Sequence, residues 1–541
     1  MIGRFTILAL ALGLTAGAGR AAAQPPTLEL TLDDAVRRAV DHNPDLAIVR
    51  LSTDVESARV GEARTAYTPM FSTVMGRSSN TVPPSNFLLG TVGVDTRDWF
   101  SSTGIRQRVP WGNGTWSVSW DASRTTSNSL LNSFDPSVAS GFRVAYSQPL
   151  VKDRAIDAAR TQYVIARRNE ASSELRFRET VVQTVSAVKQ AYWTLKALRA
   201  NVAVQQRSLE LAQQLETENA VRVRVGQSAP IDLVQVQTEV AQRRENLISA
   251  RAAAQDGEDR LRRLIMDPGD TAFWQLSLEP IDEPSGRQPV PDVDAVVAAA
   301  LSGRYDVARA QNDVRNAETN VAFRSNQRLP DVRLETSYAG AGLGGSQLVR
   351  TGAFPGIVTG TINSGFGSVL GQTFGTDYPT WSLGVTVSYP IGRSFDEVSR
   401  VQAEVERRQA VQRVASLQLD VATAIRQAAR QVRSTAERGD AARAGATLAQ
   451  ERLDSEQRRY EVGLSTSFLV TQAQRDLLQA QVNLLQATLD YQSSLVNFDA
   501  LQLAPASTAG QTIVVSGSDV QMLPPANPQG LFRTAAAGIQ P

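Results

Sequence analysis

The chain has 541 residues, with 55 basic and 54 acidic side chains, a single histidine and no cysteine. The absence of cysteine excludes disulfide bonds, thiolate catalysis, thiolate metal sites and attachment of a lipid to an N-terminal cysteine. The formal net charge of +1 gives no electrostatic reason to expect a nucleic-acid partner.

The first 23 residues have the pattern of a secretory signal peptide. Arg4 precedes an apolar run from Phe5 to Leu14, and the segment ends in Ala21-Ala22-Ala23, which is typical of a cleavage site. We therefore expect residues 1–23 to be removed on export. No later stretch offers about 18 uninterrupted apolar residues, so no helical membrane anchor is predicted.

The remaining chain is predicted to contain two structural repeats, residues 24–266 and 292–503. Leu32–Pro69 and Val293–Pro330 are both helical in pattern, and both end at a proline that stops the helix. Strand-like sequence follows each of them. Because similar residues recur at a constant offset over both segments, an internal duplication is the simplest interpretation.

Each repeat then continues with a very long helix, predicted at about residues 152–225 and 394–462. A glycine ends each helix, at Gly226 and at Gly463, and a second helix returns from it. The return helices keep apolar or small residues at heptad spacing, which indicates coiled-coil packing at close axis separation. About 70 residues at 1.5 Å per residue give a helix of roughly 105 Å. The sequence thus predicts two long antiparallel hairpins with tips near 226 and 463.

Strands are predicted between the helices of each repeat. Trp381–Tyr389 alternates large apolar side chains with small polar ones, and similar alternation surrounds Val144 and Leu334. This pattern fits a tilted outer-membrane strand or a half-buried strand of a soluble sheet, and the exported context favours the membrane strand. Four such strands cannot close a barrel in one chain, so several chains are expected to assemble.

Three segments fall outside this plan. A further hairpin at residues 99–125 is either an extracellular extension or two added barrel strands, and we favour the extension. Residues 340–380 are predicted to form a long outer loop. Residues 267–291 form a proline-rich connector, and the low-complexity tail at 504–541 is expected to be partly disordered.

The order of these features resembles the TolC family of outer-membrane efflux proteins over residues 28–503. The resemblance is carried by the Asn43-Pro44 turn, the matching joints Gln148-Pro149-Leu150 and Tyr389-Pro390-Ile391, and the second tip within Arg458–Gln481. It implies an α+β membrane protein, a homotrimer in which three chains form a 12-strand β-barrel. A periplasmic α-helical coiled-coil barrel would continue that barrel. The implied function is a passive outer-membrane conduit for tripartite efflux or type I secretion.

The resemblance also assigns candidate functional residues. It implies that the hairpin tips meet a periplasmic adaptor protein, which in turn serves an inner-membrane transporter. The tip residues are Val225, Gly226, Gln227, Ser228, Val462, Gly463, Leu464 and Ser465.

Three further residues are candidates for lining the tunnel aperture. Where family members carry aspartates that close the tunnel, this chain has the uncharged Leu469 and Gln472, so a family-like lock is not expected here. The corresponding residue of the first repeat is Asp232. It either forms a three-fold acidic ring that favours cations or is simply a favourable acid in the first helical turn.

No enzyme, cofactor or metal site is predicted. His42 lies in a His-Asn-Pro sequence at a helix kink, where a structural role is the simplest interpretation, and no catalytic motif accompanies it. The alternative to a conduit is a non-conducting coiled-coil protein with a structural or adhesive role in the envelope. A periplasmic enzyme is a distant third. The exported substrate and the class of inner-membrane transporter stay open.

Overall fold

A computed structural model describes residues 27–83, 93–286, 289, 292–353, 356–375, 377–392 and 394–502. The predicted signal peptide and C-terminal tail lie outside these residues. Within them, no helix is both long enough and apolar enough to cross a membrane.

The internal duplication is confirmed by matching helices in the two halves of the chain. Each half has two short helices, a helix of 67 residues and a helix of 36 residues. The first set is α1 (Leu32–His42), α2 (Pro44–Thr65), α3 (Ala158–Arg224) and α4 (Pro230–Ile265). The second set is α5 (Val293–Gly303), α6 (Tyr305–Gln327), α8 (Phe395–Glu461) and α9 (Ser467–Gln502). The short α7 (Phe366–Phe374) has no counterpart in the first half.

The described residues belong to two compact units, and α3 and α8 each contribute to both. The sheet unit comprises the described residues within Pro44–Gln183 and Pro291–Arg430. The hairpin unit comprises the described residues within Met1–Asn43, Thr184–Val290 and Gln431–Pro541.

The sheet unit contains one antiparallel sheet that is six strands wide. Its strands are β2 (Met70–Val82), β3 (Val94–Arg108), β4 (Thr115–Ser127), β5 (Phe134–Pro149), β7 (Asp331–Thr351), β8 (Ile357–Ser364) and β9 (Pro379–Ser388). The order is β2-β3-β4-β5-β7, and β9 and β8 follow one another along the free edge of β7. β2 therefore ends the sheet on one side, and β9 and β8 end it on the other.

This sheet bears on two expectations from the sequence. The hairpin at residues 99–125 was expected to be an extension, but β3 and β4 lie inside the sheet, where β3 pairs with β2 and β4 pairs with β5 over most of their lengths. The segment 340–380 is not a plain loop, since it holds the end of β7, all of β8 and α7.

The helix α7 packs on the sheet over glycines of β7. A Cβ atom on Gly340 would lie 2.2 Å from the carbonyl oxygen of Thr373, so only glycine permits this approach. The ring of Phe374 lies 5.4 Å from that of Phe142 on β5. The side chain of Gln372 accepts a hydrogen bond from the Leu343 amide, which lies between the β9 and β8 ladders on β7.

The hairpin unit has a core around Tyr192 of α3, which is fully buried. Its hydroxyl donates to the Leu30 carbonyl at 2.9 Å and contacts the Asp282 carboxylate at 2.6 Å. Leu30 ends β1 (Thr27–Leu30), which pairs in parallel with β6 (Ser277–Pro280). β6 lies in the predicted connector, residues 267–291. By pairing with β6, β1 at the start of the first repeat is held against this core.

Candidate functional site: the tips of the helical hairpins

The first candidate tip is a helix C-cap built on Gly226. α3 ends at Arg224, and Gly226 adopts φ 78°, a left-handed conformation that disfavours side chains. The Gly226 amide donates to the Val223 carbonyl at 3.1 Å, and the Gln227 amide donates to the Arg222 carbonyl at 2.8 Å. This pair of bonds is a Schellman cap, which satisfies carbonyls that the end of a helix leaves free.

The second tip repeats the first bond for bond. Gly463 has φ 76°, its amide donates to Tyr460 at 3.1 Å, and the Leu464 amide donates to Arg459 at 2.8 Å. The Ser465 hydroxyl donates to the Glu456 carboxylate at 2.8 Å and so ties the turn to α8. The duplication therefore extends to the backbone geometry of the turns.

Both tips present large apolar side chains to solvent. Val225 is 61% exposed, Val462 69% and Leu464 80%, although Leu and Val are normally buried. Phe468, in the first turn of α9, is 60% exposed. Exposed apolar side chains at two equivalent turns are typical of a surface that meets another protein.

Behind the turns, the two hairpins are joined by a cluster of buried residues. The Arg222 guanidinium lies 4.1 Å from the centre of the Tyr460 ring and donates to the Tyr460 carbonyl. The Tyr460 hydroxyl donates to the amide oxygen of Asn219, which is fully buried. Burial raises the pKa of Tyr460 above its ordinary value, against the opposing effect of the positive Arg222 guanidinium.

A buried ion pair lies farther along the return helices. Glu239 and Arg243 of α4 are 6% and 3% exposed, and their side chains approach to 2.5 Å. Arg475 of α9 reaches the second carboxylate oxygen of Glu239, also at 2.5 Å. Arg243 also donates to the Ser208 hydroxyl of α3. Burial raises the pKa of Glu239, but the hydrogen bonds and positive charges of Arg475 and Arg243 outweigh it and hold that pKa below its ordinary value.

This ion pair was missed from the sequence. Arg243 interrupts the apolar heptad of α4, and its partners were not identified. Two signals were present, namely the spacing of Glu239 and Arg243 by one helical turn and the arginine on α9 at the matching depth.

The three aperture candidates occupy the starts of the return helices. Asp232 is in the first turn of α4, and its amide donates to the Ala229 carbonyl at 3.0 Å. Leu469 is 43% exposed at the start of α9, and the Gln472 side chain donates to Asp476 at 3.4 Å. Gln472 lines a groove between α4 and α9 of about 250 Å³, together with Val236 and Phe468.

Among the residues that the structure describes, no group of three or more histidine, aspartate or glutamate side chains is placed to hold a metal ion. His42 is half exposed, with its Nδ1 atom 3.7 Å from the Asp267 carboxylate.

The duplicated helices, the paired hairpins and the wide sheet define the protomer class of outer-membrane efflux channels. The model of the family described as outer membrane efflux protein matches residues 35–265 and 296–502. The chain belongs to this family. Solved structures of TolC-family channels share its fold, as the resemblance seen in the sequence implies.

Three of these structures illustrate the likeness. The CmeC outer membrane channel of Campylobacter jejuni is 14% identical, with a TM-score of 0.63 over 87% of this chain and 85% of CmeC. VceC of Vibrio cholerae is 15% identical, with a TM-score of 0.60 over 87% of this chain and 96% of VceC. The open state of MtrE from Neisseria gonorrhoeae is 15% identical, with a TM-score of 0.59 over 87% of this chain and 88% of MtrE. No curated protein matches the chain in sequence.

Proposed function

We propose that this chain is the outer-membrane conduit of a tripartite efflux or type I secretion machine. Three copies would close their sheets into a barrel in the outer membrane and their helices into a periplasmic tunnel. The proposal rests on family membership and on one observation above all, the two matching tips with exposed apolar side chains.

The sheet supports a membrane location because its two faces differ. Residues directly opposed on antiparallel strands lie on the same face. One row of such residues is Phe71, Ile105, Val118, Val144, Tyr338 and Trp381. The next row, on the other face, is Ser72, Gly104, Ser119, Arg143, Ala339 and Thr380. An apolar outer face and a small or polar inner face are what a membrane barrel requires.

The unpaired edges support assembly. β2 and β9 end the described sheet, and their free N–H and C=O groups cannot remain unpaired in lipid. Pairing of β2 in one copy with β9 in the next satisfies both edges. In such an assembly Val225, Val462 and Leu464 would contact the adaptor that leads to the inner-membrane transporter.

The alternative, a non-conducting coiled-coil protein of the envelope, shares the helices but gives no role to a two-faced sheet. Fractionation separates the two functions. The full chain is expressed, membranes are divided on a density gradient, and the detergent-extracted protein is weighed by native mass spectrometry. The conduit predicts a trimer from the outer-membrane fraction. A monomer in the soluble periplasmic fraction would overturn it.

A further inference from the structure

The sheet is wider than the four-strand contribution that the resemblance implies, because β3 and β4 lie inside it. We propose that each copy contributes six strands to the barrel, so that three copies form a barrel of 18 strands. This inference rests on the proposed function, since it concerns how that conduit is built.

The pairing of β3 and β4 is the first support. β2 pairs with β3 from Met70↔Arg106 to Val82↔Val94, and β3 pairs with β4 from Arg108↔Thr115 to Thr96↔Ser127. β4 then pairs with β5 along eleven residues, starting at Thr115↔Ser147. The added strands begin and end level with their neighbours. A hairpin that projected beyond the barrel would instead leave β2 and β5 paired to each other.

Strand length is the second support. β2, β3, β4 and β5 have 13, 15, 13 and 16 residues, and β9 has 10. A tilted strand crosses the apolar layer of a membrane with about 9 to 11 residues. Both added strands are therefore long enough to cross, and neither is a short edge extension.

The alternation of side chains is the third support. The apolar row passes through Ile105 of β3 and Val118 of β4 without a gap, and β4 adds Trp116 and Trp120 on the same face. Between them, Ser117 and Ser119 point to the inner face. A hairpin surrounded by water would have no reason to keep one apolar side in register with the rest of the sheet.

The turn between β3 and β4 is anchored at the helical end of the sheet. The Gly112 carbonyl accepts a hydrogen bond from Gln148 at 2.7 Å, and the Pro110 carbonyl accepts one from Arg160 at the start of α3 at 2.5 Å. The same end holds the junctions of α2 with β2 and of β5 with α3. In the conduit this end faces the periplasm, where outer-membrane barrels keep their short turns.

A barrel of 18 strands has a different consequence from one of 12. Because diameter grows roughly linearly with strand number, the added hairpins widen the barrel by about 1.5-fold. Barrels of 16 to 18 strands leave an open aqueous channel. The outer exit of this conduit would then exclude few exported molecules by size. Selection among them would occur in the helical tunnel.

Labelling of cysteine variants tests this topology directly, since the chain has no cysteine of its own. Trp111, in the β3–β4 turn, is 75% exposed, and Leu131, in the β4–β5 connection, is 52% exposed. Intact cells that carry Trp111→Cys or Leu131→Cys are treated with a polyethylene-glycol maleimide too large to pass through porins. Six strands per copy predict that Leu131→Cys is labelled at once and that Trp111→Cys is labelled only after the outer membrane is permeabilised.

Disulfide pairs give an independent readout in the same membranes. Ser117→Cys with Ala145→Cys is expected to cross-link, because the two residues are opposed on β4 and β5. Ser72→Cys with Ser147→Cys joins β2 to β5 and is expected to stay reduced, since two strands separate the residues.

Two failures are distinguishable. A membrane trimer that labels Trp111→Cys on intact cells, or that forms the Ser72–Ser147 bond, would overturn the six-strand barrel and leave the conduit standing. Recovery of a soluble monomer would overturn the proposed function itself.

Discussion

Replacement of Glu239 by glutamine removes the negative charge from the buried ion pair behind the tips. The side chain keeps its size, so packing against α3 and α9 changes little. The Arg243 guanidinium, 3% exposed, then faces a neutral amide in place of a carboxylate. Arg475 loses the same partner but is 57% exposed at its side chain and can turn to water. The cost therefore falls on Arg243.

The expected loss is large for one substitution. Removal of one partner from a buried ion pair costs about 3–5 kcal/mol, because the remaining charge stays uncompensated. Glu210 provides the matched control, since its pair with Arg207 at 3.1 Å is solvent-exposed. Exposed pairs contribute about 0–1 kcal/mol. Glu239→Gln should therefore destabilise the hairpin unit several-fold more than Glu210→Gln.

The same pair predicts a pH dependence. The pKa of Glu239 in the folded chain lies below its ordinary value of 4.5, so the unfolded chain binds the proton more readily. The stability that this carboxylate contributes is fully present above the pKa that Glu239 has in the unfolded chain. It is lost as the pH falls through the pKa that Glu239 has in the folded chain. Wild type should lose this stability in acid below about pH 4.5, whereas Glu239→Gln has none of it to lose.

Urea unfolding of the purified protein, followed by helical circular dichroism at pH 7 and pH 4, measures both effects. Equal midpoints for Glu239→Gln and Glu210→Gln at pH 7 would refute the assignment of a buried, energetically coupled pair. A double variant that replaces Glu239 and Arg243 by leucine and methionine should recover much of the loss, because no buried charge is then left unpaired.

The tips give three further predictions. Gly226→Ala and Gly463→Ala should each lower the free energy of unfolding by about 1–2 kcal/mol, since alanine resists a left-handed conformation. The control Gly445→Ala, within α8, should raise it by about 0.5–1 kcal/mol. Thermal unfolding compares the variants, and equal shifts in melting temperature would count against strain at the tips. Leu464→Asp should reduce export in cells while trimers still form, and Leu464→Met should retain export; a fully active aspartate variant would remove Leu464 from the adaptor contact. If three copies of Asp232 ring the aperture, Asp232→Asn should lower cation selectivity in planar bilayers, and unchanged selectivity would leave Asp232 as a first-turn acid only.

The helices were predictable because their signals are local. Glycine at 226 and 463, proline at 230 and the heptads, interrupted at Arg243, fix where each hairpin turns, and the observed helices end within one or two residues of those positions. The start of α3 is the exception. A turn at residues 151–156 delays it to Ala158, and no heptad residue marks that delay.

The sheet was less predictable because pairing partners are set by contacts between distant residues. The alternation of apolar and polar side chains around Ile105 and Trp116 indicated a hairpin. This pattern does not determine which strands pair with the two strands of the hairpin. The segment after Gly340 is rich in glycine and threonine, as a loop is. In the structure, these glycines instead allow α7 to pack close to β7. This is a tertiary contact, and local composition does not reveal it.

Single-channel recording tests the central claim most directly. Trimers purified from outer membranes in mild detergent are added to a planar lipid bilayer, and current is followed across a range of potentials. The conduit predicts discrete conductance steps that scale with the number of inserted trimers. Trimers that insert into the bilayer and leave it silent at every potential would contradict a conducting role and favour a structural coiled-coil protein of the envelope.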